Sequence, residues 1–204
     1  MSTSAGPEQP LRVAINAQFM PGRGVGGVES TLIGLLKALA QLEDGPEQYT
    51  VIGPQQAPAW LKPYLGHNQV VVCPARPGTS SVAKLVRPIA SVLRPTVAAV
   101  FPGVKRVWPE VPVSNGFYES LGCHVIHFPF QHFALCALPM VYNPHDLQHV
   151  HYPQFFNPAT IAWRETIYRA GCHFSQTVIA GSQWVKDDIV EHYGVSPQKV
   201  QVIP

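Results

Sequence analysis

The sequence predicts an α/β fold, a doubly wound and mainly parallel sheet of Rossmann-like build. Three observations carry that reading. Short, almost continuous apolar runs alternate with segments of helical periodicity, as expected of parallel strands covered by helices on both faces. The first such run is followed by a glycine-rich turn and then a helix, a strand–loop–helix unit. The composition suits a packed core: of 204 residues, 46% are hydrophobic and only 13% charged, which excludes a disordered or charge-driven chain.

Residues 1–10 read as a polar, disordered leader and 11–204 as one domain. Leu11 to Ala17 alternates and forms the first strand. Pro21 to Gly27 is the glycine turn. Val28, Leu32, Leu35, Leu36, Leu39 and Leu42 recur at steps of three and four, one face of a helix ending near Asp44. Tyr49–Ile52 and Gln69–Cys73 are the next strands, joined by a short helical link over Ala59–Leu65. From Pro74 to Gly122, prolines at 77, 88, 95, 102, 109 and 112 forbid any long helix, and short helices and loops are expected. His124–Phe128 and Leu138–Tyr142 read as buried strands. Pro153 opens a helix with Ala159, Trp163, Ile167 and Ala170 on one face. Gln176–Ala180 is a strand, Ser182 caps a helix carrying Val185, Ile189 and Tyr193 and stopped by Gly194, and Lys199–Ile203 is the last strand.

Several function classes are excluded or weakened. A formal net charge of +2 gives no concentrated basic face for nucleic acid. No apolar run reaches the ~18 residues of a membrane span. The first residues lack the basic start and apolar core of a signal peptide, and the four cysteines form no C-x-x-C pair, so free thiols and a cytoplasmic location are expected. Lys84, Arg87 and Arg94 could share a helix face as an anionic-lipid patch, a peripheral contact with the inner membrane face. The competing reading is a plain solvated face.

Gly22, Gly24 and Gly27 formally spell G-x-G-x-x-G, but Gln18–Pro21 separate them from the strand, and Ile52-Gly53-Pro54 supplies no acidic residue for a ribose. A nicotinamide enzyme is therefore disfavoured. What persists is the capacity of Gly26, Gly27 and the following helix N-terminus to approach an anion, with Arg23 beside them. Six of the nine histidines lie between 124 and 151; no cysteine order of a zinc ribbon accompanies them, and they read as polar strand-end residues. His145 stands apart: with Asp146 it directly follows a strand, at a carboxyl end, where the imidazole can meet a substrate hydroxyl or phosphate and the carboxylate can orient it. Ser182 is first an N-cap whose helix could also face a ligand. No G-x-S-x-G elbow and no D-x-D pair occur, so neither a serine nucleophile nor a metal-diphosphate site is visible.

The run Val141-Tyr142-Asn143-Pro144-His145-Asp146-Leu147-Gln148-His149, continued by Tyr152-Pro153-Gln154-Phe155-Phe156, resembles the "HDLQH…YP-x-FF" segment of retaining, group 1 (GT4-like) glycosyltransferases of GT-B fold. Val178 to Ile189, the exit Lys199 to Pro204, and the Gly24–Glu29 "GGvE" loop resemble further segments of that family in the same order. The resemblance implies half of a GT-B fold: the N-terminal, acceptor-side domain of an enzyme that moves a sugar from a nucleotide-diphosphate donor to a saccharide or lipid-linked acceptor with retention. It implies His145 near the transferred sugar and Gly26 and Gly27 toward the donor phosphates; Asp146 as a second catalytic candidate, and Arg23 and Ser182 toward donor phosphates or acceptor, are expected from their positions in the sequence. No cofactor and no metal are expected. The family's C-terminal donor domain, with two glutamates separated by seven residues, has no counterpart here, so this domain alone is expected to be inactive. The rival is a non-catalytic sugar- or nucleotide-binding module of the same build.

Overall fold

A computed structural model describes residues 10–19, 22, 27–42, 45–55, 58–74 and 110–204. The seven strands are β1 (Arg12–Asn16), β2 (Gln48–Ile52), β3 (Gln69–Val72), β4 (Val125–Phe128), β5 (Met140–Tyr142), β6 (Thr177–Ala180) and β7 (Val200–Val202). They form one sheet in the order β3-β2-β1-β4-β5-β6-β7, and every pairing is parallel.

Helices cover both faces, because strand residues alternate between two cores. In β1, Ala14 faces one core and Ile15 the other; in β2, Ile52 and Val51 divide in the same way. On the Ile15 face lies α1 (Gly27–Ala40), which buries Val28, Leu32 and Leu36, together with Leu61 of a 3₁₀ segment over Pro58–Tyr64. On the Ala14 face lie α4 (Pro158–Phe174), with Ile167, Tyr168, Ala170 and Cys172, and α5 (Gln183–Tyr193), with Ile189 and Tyr193. Two short helices, α2 (Phe117–Ser120) and α3 (Gln148–His151), lie in the connections.

The expected strands and helices among the described residues form, with shifts at their ends; most of the expected short helices and loops of 74–122 lie outside the described residues. The first helix stops at Ala40, so Leu42 lies beyond it and is exposed. Pro153 opens only a 3₁₀ turn, Pro153–Phe155; the long helix begins at Pro158, with Asn157 Oδ1 accepting from the Thr160 N–H at 2.8 Å. A capping side chain followed by proline at the first helical position is the stronger start signal. The last strand is shortened because Pro197–Lys199 forms a 3₁₀ turn. Ser182 and Gly194 cap α5 as expected: Ser182 Oγ accepts from the Val185 N–H, and Gly194 takes the left-handed conformation at φ 64°. All four cysteines are free thiols. Among the described residues no helix is long and apolar enough to cross a membrane. The leader to residue 9 and the Lys84, Arg87, Arg94 patch lie outside the described residues.

Candidate functional site

In an open parallel sheet, ligands bind beyond the carboxyl ends of the strands, at the point where chain connections leave in opposite directions. Here that point lies between β1 and β4, with β2 and β3 to one side and β5, β6 and β7 to the other. The chain leaving β1 is tied to its surroundings. Asn16 Oδ1 accepts the Gln18 N–H at 3.0 Å, Gln18 Oε1 accepts the Tyr118 hydroxyl at 3.2 Å, and the Phe19 ring packs 5.3 Å from Phe130, just past β4.

His145 follows β5 and reaches back toward β4. Its ring Nε2 lies 2.9 Å from the Pro129 carbonyl, and its N–H donates to Asn143 Oδ1 at 2.9 Å. The backbone is at φ 70°, the only non-glycine residue in the left-handed region among the described residues. For a side chain with a Cβ this conformation is strained, by about 1–2 kcal/mol. A carbonyl only accepts, so Nε2 carries the proton and donates, and in the neutral ring Nδ1 keeps a free lone pair. Burial pulls the ring pKa below the ordinary histidine value, against the opposing effects of the Pro129 bond and the Asp146 charge. His145 is thus arranged as a neutral hydrogen-bond acceptor. Asp146 adjoins it, but its Oδ1 accepts the Gln148 N–H at 3.2 Å at the start of α3; the bond that holds the imidazole comes from Pro129.

His127, read in the sequence as one of the polar strand-end histidines, instead has its ring buried within its strand. It lies in β4 opposite Ile15 of β1, its Nε2 is buried without a hydrogen-bond partner among the described residues, and it feels the charge of His145. Burial first, and then His145, lower its pKa to about 4. A lone histidine in the apolar run Val125-Ile126-His127-Phe128 is the signal that could have marked it.

In the glycine turn, Gly22 N–H donates to Glu29 Oε2 at 3.0 Å, so a carboxylate of the first turn of α1 closes the loop. Gly27 is exposed at the start of α1, and a Cβ built there would meet nothing within 4 Å. Arg23, Gly24 and Gly26 lie outside the described residues. Ser182 is exposed past β6, its Oγ 3.3 Å from the Val185 nitrogen. Gly27, His145 and Ser182 therefore follow β1, β5 and β6 along one edge of the sheet, the edge of the strand carboxyl ends.

The family model for Glycosyltransferase Family 4 matches residues 59–204, a span that includes β4, β5, His145 and the cap of α5. The chain belongs to this family. Two solved structures are similar to this chain. One is a glycosyltransferase from Rickettsia africae ESF-5, at 12% identity and TM-score 0.41, covering 95% of this chain and 42% of that one. The other is the apo form of the lipopolysaccharide outer core galactosyltransferase WaaB, at 12% identity and TM-score 0.43, covering 94% of this chain and 45% of that one. The family 4 chain thus spans less than half the length of either structure. A search of curated protein sequences finds no match.

Proposed function

We propose that this protein is the N-terminal, acceptor-side domain of a retaining family 4 glycosyltransferase, acting on a nucleotide-diphosphate sugar and a saccharide or lipid-linked acceptor. The observation that carries the reading is the posture of His145: a strained backbone at a strand carboxyl end, with Nε2 committed to the Pro129 carbonyl. Strain persists only where its surroundings impose it, and it gathers at sites of function. With Nδ1 free and the ring neutral, His145 accepts a hydrogen bond from a sugar hydroxyl and fixes the ring that is transferred. The helix N-terminus at Gly27 presents backbone N–H groups to the negative charge that develops on the leaving diphosphate. Asp146 holds α3 in place beside His145, Ser182 lies at the same edge, and Arg23 and Gly26 are assigned to the donor phosphates or the acceptor by sequence alone. A donor domain of the same polypeptide supplies the remaining diphosphate contacts, and neither a cofactor nor a metal enters the transfer step.

The test is a transfer and hydrolysis assay of the complete gene product against a panel of UDP-, GDP- and ADP-sugars. One donor class should be turned over, and His145→Ala should lower kcat by at least about a hundredfold. Unchanged turnover in that variant would remove His145 from the site. Binding of a nucleotide sugar with no turnover of any donor would instead favour a sugar-binding module.

A further inference from the structure

A second group of polar side chains converges between α3 and α5. His151 is the last residue of α3; Asp188 and His192 stand one turn apart on α5. His151 Nε2 lies 2.8 Å from Asp188 Oδ1 and 2.9 Å from Oδ2, and His192 Nδ1 lies 3.0 Å from Oδ1. Each of the three residues offers one ligand atom, and these atoms all lie within 4.8 Å of one another. The geometry points to a divalent-metal site of zinc class, held by His151, Asp188 and His192.

Donor chemistry selects the ion. Two imidazole nitrogens and one carboxylate suit Zn²⁺ and its first-row neighbours, whereas Mg²⁺ and Ca²⁺ require oxygen ligands throughout. Metal bonds of 2.0–2.1 Å in a tetrahedron set neighbouring ligand atoms roughly 3.3 Å apart. The two histidine–Asp188 separations fall a few tenths of an ångström short of that, and the three ligand atoms all lie within 4.8 Å of one another, so side-chain adjustment about Asp188 is what an ion requires. Burial also favours a usable site. The Asp188 side chain is 6% exposed and fixed in place, while the two imidazoles are each 31% exposed and leave a path from solvent. Both ligands on α5 sit in a helix capped at each end, and the His151 ring is flanked by the Trp184 ring at 5.3 Å. Three protein ligands leave a fourth position for water or an exogenous donor. An ion here pins α3, which begins three residues after His145, to α5.

The site does not rest on the transferase reading, and its test uses binding alone. The complete gene product, stripped with a chelator, is titrated with ZnCl₂ and separately with MgCl₂ by calorimetry, with thermal melts in parallel. We expect one zinc bound per chain, a melting point raised by a few degrees at saturating zinc, and no response to magnesium. His151→Gln and His192→Gln, both at half-exposed positions, should each weaken zinc binding at least about tenfold, and the double variant should lose both the binding and the melting shift. Cobalt(II) substitution should give visible absorption of a nitrogen- and oxygen-ligated centre. Stoichiometric zinc binding that survives in the double variant, a cobalt–thiolate absorption band, or no zinc binding by the unaltered protein would each overturn the assignment.

Discussion

His145 shows how much a single residue can carry. Its left-handed backbone would suit glycine, and its ring bond to Pro129 would not survive the loss of the imidazole. These two properties can be separated. His145→Gly relieves the strain and should fold more stably than His145→Ala by about 1 kcal/mol in denaturant unfolding, while both lose transfer. Equal stability of the two would show that the conformation costs nothing. His127 offers a second test, through pH. Its folded pKa of about 4 lies below the ordinary histidine value, so folding favours the neutral ring. The stability this contributes is complete above about pH 6.5 and is lost as pH falls from there through about 4, up to roughly 3 kcal/mol. Acid unfolding followed by circular dichroism should show this loss, and His127→Gln should flatten it. The strand-end location of His145 was legible, because a strand followed by His-Asp fixes which end of the sheet the ring occupies. The identity of its partner was not, since Pro129 is 16 residues away and is brought near only by the pairing of β4 with β5.

At the level of elements, strands and helices followed from periodicity and capping signals, and the errors fell where two signals competed. Pro153 and Pro158 both qualify as helix openers; Asn157 decides, because its side chain satisfies a backbone N–H that the turn after Pro153 leaves alone. The packing of α4 against the sheet turns on Gly171, where an added Cβ would fall 2.4 Å from the ring of the fully buried Tyr142. Gly171→Ala must push that ring or the helix aside, and should cost about 2–3 kcal/mol in urea unfolding. Gly171→Ala with wild-type stability would mean that α4 rides more loosely on β5 than its contacts indicate. For α5, Ser182→Ala removes the cap and should cost about 1 kcal/mol, whereas Ser182→Gly should cost only a few tenths. No sequence pattern could have announced the meeting of His151 with Asp188, which are 37 residues apart on different helices; only the packing of α3 beside α5 joins them.

Across the whole molecule, alternation of strand and helix was enough for the fold class, since a parallel sheet buried on both faces admits few other solutions. The strand order follows from where the long connection crosses. Arg12 and His124, bonded at the edge of the β1–β4 pairing, are 112 residues apart in sequence, whereas β2 and β3, and the strands from β4 to β7, pair over much shorter separations. The two helical faces are divided in a similar way. The core under α1 draws on residues 13–71 and Phe130, and the core under α4 and α5 draws mainly on residues 111–200. Bringing distant segments together exacts its entropy before any contact repays it. The β1–β4 seam is therefore the natural late event in folding, the line along which two locally built halves meet. That seam also lies beneath the proposed ligand crevice, so the proposed site would be assembled only as the last long-range contact closes.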